Sequence, residues 1–261
     1  MKQHLLLRCL TAFLILSVVM TSSACLMTQI STAQTTPTAS AAVKTDSVKT
    51  EKKGPLIAVD AGHQKSEDGR MEKADPDKNG RKIRNTSGCS GASTGMPEYK
   101  YTLKIAKKLK KELEKRGYRV YMTRTKNAVK FSNRERALKI NKKKAAACIR
   151  LHCDSFGSSA SGASIQYRSK TNSYISKKVA KKNTRLSRCI LKKYCKATKM
   201  KNRGLVSRND LTGCNWAKVP TTLIEMGFFS NPREERKMLK ASFQKKMVKG
   251  IADGFDAYFK R

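Results

Sequence analysis

The chain is short of histidine and of acid. Only three histidines stand among its 261 residues. Against 57 lysines and arginines there are 19 aspartates and glutamates, a formal net charge of +38. Its eight cysteines include no Cys-x-x-Cys pair, which excludes a zinc ribbon and a thioredoxin-type site. Residues 26–53 contain no aromatic side chain and cannot bury a core. The apolar stretch Leu10–Met20 is too short for a comfortable membrane span. No internal repeat and no second domain are visible.

What is present divides into three parts. With Lys2 and Arg8, the apolar stretch and the small residues after it, residues 1–33 read as a signal peptide. Ser22-Ser23-Ala24-Cys25 offers a lipoprotein-type alternative with Cys25 lipidated; cleavage after Ala24 or Ala33 would leave a free secreted protein. Residues 34–53 read as a disordered tether. Residues 54–261 are the length of one domain with a substantial core. The expected location is therefore extracellular or the cell envelope, with membrane contact only through a lipid anchor or a retained leader.

For an exported chain the polyanions within reach are cell-wall polymers and lipid head groups. The lysines spread over helix faces, as in Lys107-Lys108 and Lys142-Lys143-Lys144, without the interleaved aromatics that a single-strand binder uses. Nucleic acid is not an expected partner. A solvated basic surface accounts for most of the charge. Six cysteines remain beyond the leader, an even number that permits disulfides. Cys148 and Cys153 lie on one expected strand but face opposite ways, so they should not pair.

Strand and helix signals alternate. Leu56–Asp60 reads as a buried strand, and residues 64–97 as a long irregular stretch. Pro97 opens a helix with Leu103, Ala106, Leu109 and Leu113 at helical spacing, ending near Gly117. Further strands are expected at 118–123, 147–152, 162–168, 205–208 and 221–225. Helices are expected at 132–144, after 175, and from Asn231-Pro232 to the end. The pattern predicts a single α/β domain with a twisted, mostly parallel sheet of about six strands flanked by helices.

Ligand sites in such folds collect at the carboxyl ends of strands. His63, His152 and Glu225 each stand at such an end. Two histidines do not hold a catalytic zinc; a third ligand and an open position are needed. Glu98, in the first turn of the Pro97 helix, is the candidate, with Asp60 and Asp154 near enough to support the histidines. Alone, Glu98 reads as an acid facing the helix dipole. Glu225 follows an apolar run, so burial should raise its pKa toward that of a working general base. Alone, it reads equally well as a structural carboxylate.

Four segments carry a family resemblance: Val59-Asp60-Ala61-Gly62-His63, Pro97-Glu98, Arg150-Leu151-His152-Cys153-Asp154-Ser155, and Val219–Asn231 with Glu225 inside it. From roughly Pro55 to Tyr258 the chain resembles the zinc-dependent N-acetylmuramoyl-L-alanine amidases often called amidase type 3. The resemblance implies Zn2+ held by His63, Glu98 and His152, Glu225 as catalytic acid/base, and peptidoglycan as substrate. It further implies an enzyme that cuts the amide between N-acetylmuramic acid and L-alanine. A monomer is expected. Arg136-Ala137 with Asn141, and Thr123-Arg124, look like supporting family signatures. Gln64 departs from the glycine usual after the first histidine. Asp154-Ser155 departs from the common Asn-Ala or Asn-Asp, and the 64–97 stretch is idiosyncratic. The alternatives are a zinc peptidase acting on the stem peptide and a non-catalytic, polycationic wall-binding protein.

Overall fold

The computed structural model describes residues 54–261. The signal peptide, Cys25 and the 34–53 tether of the sequence reading lie outside the described residues. In chain order the elements are β1 (Leu56–Ala61), β2 (Asp68–Asp75), β3 (Lys78–Asn85), α1 (Glu98–Lys115), β4 (Arg119–Met122), α2 (Asn133–Lys142), β5 (Ala147–Asp154), β6 (Ala163–Tyr167), α3 (Lys177–Thr198), β7 (Asn202–Ser207), α4 (Thr212–Asn215), β8 (Thr221–Phe228), α5 (Pro232–Leu239) and α6 (Ala241–Phe259).

Six strands form one sheet in the order β4-β1-β5-β8-β6-β7. β4, β1, β5 and β8 are parallel. β6 runs antiparallel to β8, and β7 follows the direction of β6. The reversal has a simple cause. Residues 155–162 are too few for the crossover of a dozen or more residues that a parallel return requires.

β1 and β8 are buried along nearly their whole length, as strands covered on both faces must be. On one face Leu109 and Leu113 of α1, Leu186 and Ile190 of α3, and Met247, Ile251 and Phe255 of α6 pack on Ile57, Val59, Ile149 and Ile224. The other face carries a smaller cluster, in which Ile140 of α2 meets Ala58 and Cys148. α3 and α6 approach closely because Gly250 and Gly254 lie between them: a Cβ on Gly250 would stand 2.8 Å from Tyr194 Cα. Cys148 and Cys153 fall in the two different clusters, as strand alternation requires. All six cysteines of the described residues are free thiols.

Two expectations are corrected. The 64–97 stretch is not irregular throughout: β2 and β3 form an antiparallel hairpin within it. Its turn is closed by Asp75, whose carboxylate accepts from the Asp77 amide at 3.0 Å. The hairpin is anchored through its backbone, with Trp216 Nε1 donating to Lys73 O at 3.0 Å and Asn215 Nδ2 to Ala74 O at 2.9 Å. The last helix is also two helices rather than one. Lys240 adopts extended backbone between them. Gln244, fully buried, donates to the carbonyls of Met238 and Leu239 and so satisfies the end of α5. Asn231 does cap α5, accepting from the Arg233 and Glu234 amides. Glu234, which follows that cap, accepts from the amides of Phe228 and Gly162.

Candidate active site

Because β1, β5 and β8 are parallel, their carboxyl ends share one edge of the sheet. His63 follows β1, His152 lies in β5, and Glu225 is the register partner of His152 on β8. Glu98 reaches the same edge from the first turn of α1, where Pro97 stands as N-cap. One ligand atom from each of His63, Glu98 and His152 lies within 4.8 Å of the others. The two imidazoles meet edge to face, with centroids 4.8 Å apart.

Glu98 is the hub. Its Oε2 lies 3.3 Å from His63 Nε2 and its Oε1 3.2 Å from His152 Nδ1. Backbone amides fix the carboxylate: Cys89 N donates to Oε2 at 3.0 Å and Cys153 N to Oε1 at 2.9 Å. The Cys89 thiol adds a weaker donor at 3.3 Å. Burial pushes the Glu98 carboxyl up, but the imidazoles of His152 and His63 more than offset that and hold it well below the usual range. Burial lowers His152 to about 4 despite its bond to Glu98, so its ring is neutral at pH 7.

The tautomer of His63 follows from its partner. Nδ1 lies 3.0 Å from Thr86 O, and a carbonyl only accepts, so Nδ1 carries the proton of that bond. In a neutral ring Nε2 is then a bare lone pair facing a carboxylate oxygen at 3.3 Å. Two acceptors at that distance need a proton or a metal ion between them. His152 presents Nδ1 to Glu98, while its Nε2 packs beside Gly62, buried without a partner. Ligand atoms about 2.0–2.1 Å from a tetrahedral zinc stand roughly 3.3 Å apart. Glu98 stands at that spacing from each imidazole, 3.3 Å from His63 Nε2 and 3.2 Å from His152 Nδ1, and the three ligand atoms together lie within 4.8 Å.

The backbone at His63 is unusual and tightly held. Its φ is +58°, rare for a residue with a side chain. Arg136 clamps it, donating to His63 O at 2.8 Å, Ala61 O at 2.8 Å and Gln64 Oε1 at 2.7 Å. Asp60 in turn holds Arg136 and Arg150, both at 2.9 Å, with all three side chains buried. Burial pushes Asp60 up, but the two guanidiniums and the Thr123 hydroxyl hold its carboxyl far below the usual range. Asp60 thus supports the site through Arg136. Asp154, also expected to support a histidine, instead caps the Ser155 amide. Gln64 occupies the place of the expected glycine as a buried acceptor for Arg136.

Glu225 is 8% exposed. Its Oε1 accepts from Gln166 Nε2 at 3.3 Å, while Oε2 is buried without a partner. Burial raises its pKa well above the ordinary value; Glu98 and Asp154 add to the rise and Arg208 opposes it. A cavity of about 200 Å³ opens beside His63 and His152, walled by Lys82 and Ile83 of the hairpin and by Asp210, which Lys82 meets at 2.7 Å. Thr86, Cys89 and Gln166 were not singled out from the sequence. Only Gln166 carried a signal there, as a long polar side chain between Ile165 and Tyr167 of the expected strand.

A protonatable buried carboxylate beside a His–Glu–His cluster, at the open edge of a parallel sheet, is the equipment of a hydrolytic enzyme. Residues 57–257 match the model of the N-acetylmuramoyl-L-alanine amidase family. The chain belongs to that family. It is 29% identical over 210 residues to an N-acetylmuramoyl-L-alanine amidase of Mycobacterium tuberculosis, covering 76% of this chain and 86% of that one. A Staphylococcus aureus protein named a probable cell wall amidase is 34% identical over 165 residues; the match covers 62% of this chain and only 50% of that one. The fold superimposes on the amidase Ami1 of Mycobacterium smegmatis with a TM-score of 0.72 at 23% identity, covering 79% of this chain and 97% of that one.

Proposed function

We propose that this amidase is zinc-dependent, with the ion held by His63, Glu98 and His152, and that Glu225 carries the proton in hydrolysis of the amide between N-acetylmuramic acid and L-alanine of peptidoglycan. The carrying observation is the convergence of three ligand atoms within 4.8 Å on one edge, with Glu225 in register beside them. A zinc ion held there supplies a Lewis acid for the scissile carbonyl and eases deprotonation of water. The protein's own residues do the rest. Thr86 fixes the His63 tautomer, and Arg136 fixes the backbone that carries the ring. Glu225 takes the proton of the attacking water at its free Oε2 and delivers it to the leaving amine, while Gln166 orients the other oxygen.

The enzyme works as a monomer in the cell envelope or outside it, exported by residues 1–33 and held near its substrate by residues 34–53 and by anionic wall polymers. The test is the Glu225→Ala protein. It should keep stoichiometric zinc and release no new L-alanine amino termini from purified peptidoglycan. Full activity would remove Glu225 from the chemistry. Fragments cut inside the stem peptide would favour a zinc peptidase, and a folded protein that never takes up zinc a non-catalytic wall binder.

A further inference from the structure

The charge is not spread evenly over the helices. α1 interleaves Glu112 and Glu114 with its basic residues and pairs Lys110 with Glu114 and the neighbouring Arg116 with Glu112, although its exposed Lys100, Lys104, Lys107, Lys111 and Lys115 form no ion pair; α6 pairs Lys249 with Asp253. α3 has nine lysines and arginines in 22 residues and no acid at all. None of the nine forms an ion pair among the described residues. Lys178, Lys181, Arg185, Arg188, Lys192 and Lys196 are all exposed and follow one another at intervals of three or four. That spacing puts them on one face of the helix, a straight cationic stripe about 27 Å long at 1.5 Å per residue. The opposite face is committed to the core through Leu186, Ile190 and Tyr194.

Such a helix is electrostatically unfavourable by itself. Like charges at i,i+4 repel, and α3 repeats that arrangement from Lys177–Lys181 to Lys192–Lys196. Its first turn also places Lys177 and Lys178 at the positive end of the dipole, where acids are favoured. A bound polyanion removes both penalties.

We infer that the outer face of α3 is a docking surface for a linear phosphodiester polymer of the cell wall. A straight stripe with a charge every turn, widened by the neighbouring Lys177, Lys182 and Lys193, matches a single chain with one phosphate per repeat. A membrane surface would call for apolar side chains beside the cations, and α3 spends its apolar residues on the core. The stripe also has a direction. Near its start Asn183 bonds Arg168 O and the Thr221 amide, at the edge of the sheet away from the site. Near its end Tyr194 donates to Met226 O, next to Glu225. A polymer lying on α3 leads from the far edge of the domain to the catalytic edge.

The test compares two full-length proteins with equal loss of charge. One carries K181Q, R188Q, K192Q and K196Q on α3; the other carries K104Q, K107Q, K111Q and K115Q on α1. Glutamine keeps helix propensity, so both should fold, and thermal melts verify this. Binding is measured to purified poly(glycerol phosphate) and to vesicles of equal parts phosphatidylglycerol and phosphatidylcholine. The α3 protein should lose polymer affinity about tenfold or more, with a shallower salt dependence, while the α1 protein stays near wild type. In the wild type the polymer should shield the α3 lysines, and not those of α1, from acetylation, a readout that needs no variant. Equal losses in both proteins, no polymer binding, uniform shielding, or a preference for vesicles would each overturn the assignment. Hydrolysis plays no part in these measurements, so their failure leaves the amidase reading intact.

Discussion

His152 and Glu225 are register partners on adjacent parallel strands, β5 and β8. The sheet itself therefore sets the spacing between an imidazole of the metal cluster and the buried carboxylate, and no loop has to place either one.

Replacing Glu225 separates chemistry from folding. Glu225→Gln should lower kcat by about 10²–10⁴-fold, the usual contribution of a general acid/base. The same change should stabilise the zinc-stripped protein. Burial raises the folded-state pKa of Glu225, so the stability tied to its protonated form is complete below the unfolded value and is lost as pH rises through the folded one. The advantage of the glutamine protein should appear above about pH 4.3 and grow with pH. A flat difference in melting temperature between pH 4 and 8 would contradict this.

Metal removal should soften the domain. Without a cation, Glu98 and two imidazoles face one another at 3.2–3.3 Å. Chelation should lower the melting temperature, and zinc at about a hundredfold excess over its Kd should return about 2.7 kcal/mol. Calorimetry with and without chelator measures it.

Gly88 should not tolerate a side chain. It sits at φ +83°, and a Cβ there would lie 2.5 Å from Glu98 Oε2 and 2.8 Å from His63 Cδ2. Gly88→Ala should displace both groups, so zinc content should fall well before the fold is lost. Metal analysis paired with circular dichroism separates the two effects.

Asp60 should govern acid sensitivity. Its folded pKa lies below the unfolded value, so its contribution is complete above about pH 4 and fades as pH falls further. Asp60→Asn leaves Arg136 and Arg150 buried without their carboxylate and should cost about 3–5 kcal/mol at neutral pH. The loss should narrow in acid, which denaturant titrations at pH 3 and pH 7 would reveal.

β1, β5 and β8 were legible in the sequence because each is an apolar run interrupted or followed by a residue with metal-binding or proton-carrying chemistry, but β8 does not end at Glu225 as expected: it continues to Phe228, because the apolar run resumes at Met226. Glu98 was legible because Pro97 marks a helix start. The β2–β3 hairpin was not, because its strands are mostly charged and their apolar residues, Met71 and Ile83, are 45% and 48% exposed. Its order comes from docking on Trp216 and Asn215, far away in the chain. The break at Lys240 was hidden because the apolar stripe runs through it from Leu239 to Phe243. The reversal of β6 leaves no mark in periodicity, yet the short 155–162 connection was there to be read. The clamp of Arg136 on His63 depends on two backbone carbonyls, and carbonyls have no letter in a sequence.

Six free thiols, three of them buried, have a practical meaning for this domain. No disulfide joins one part of it to another, so non-covalent packing, hydrogen bonds, ion pairs and the metal site maintain it. Its melting temperature should not respond to dithiothreitol. It can be produced in a reducing cytoplasm with neither oxidant nor isomerase, and a change in ambient redox potential gives it no reason to unfold.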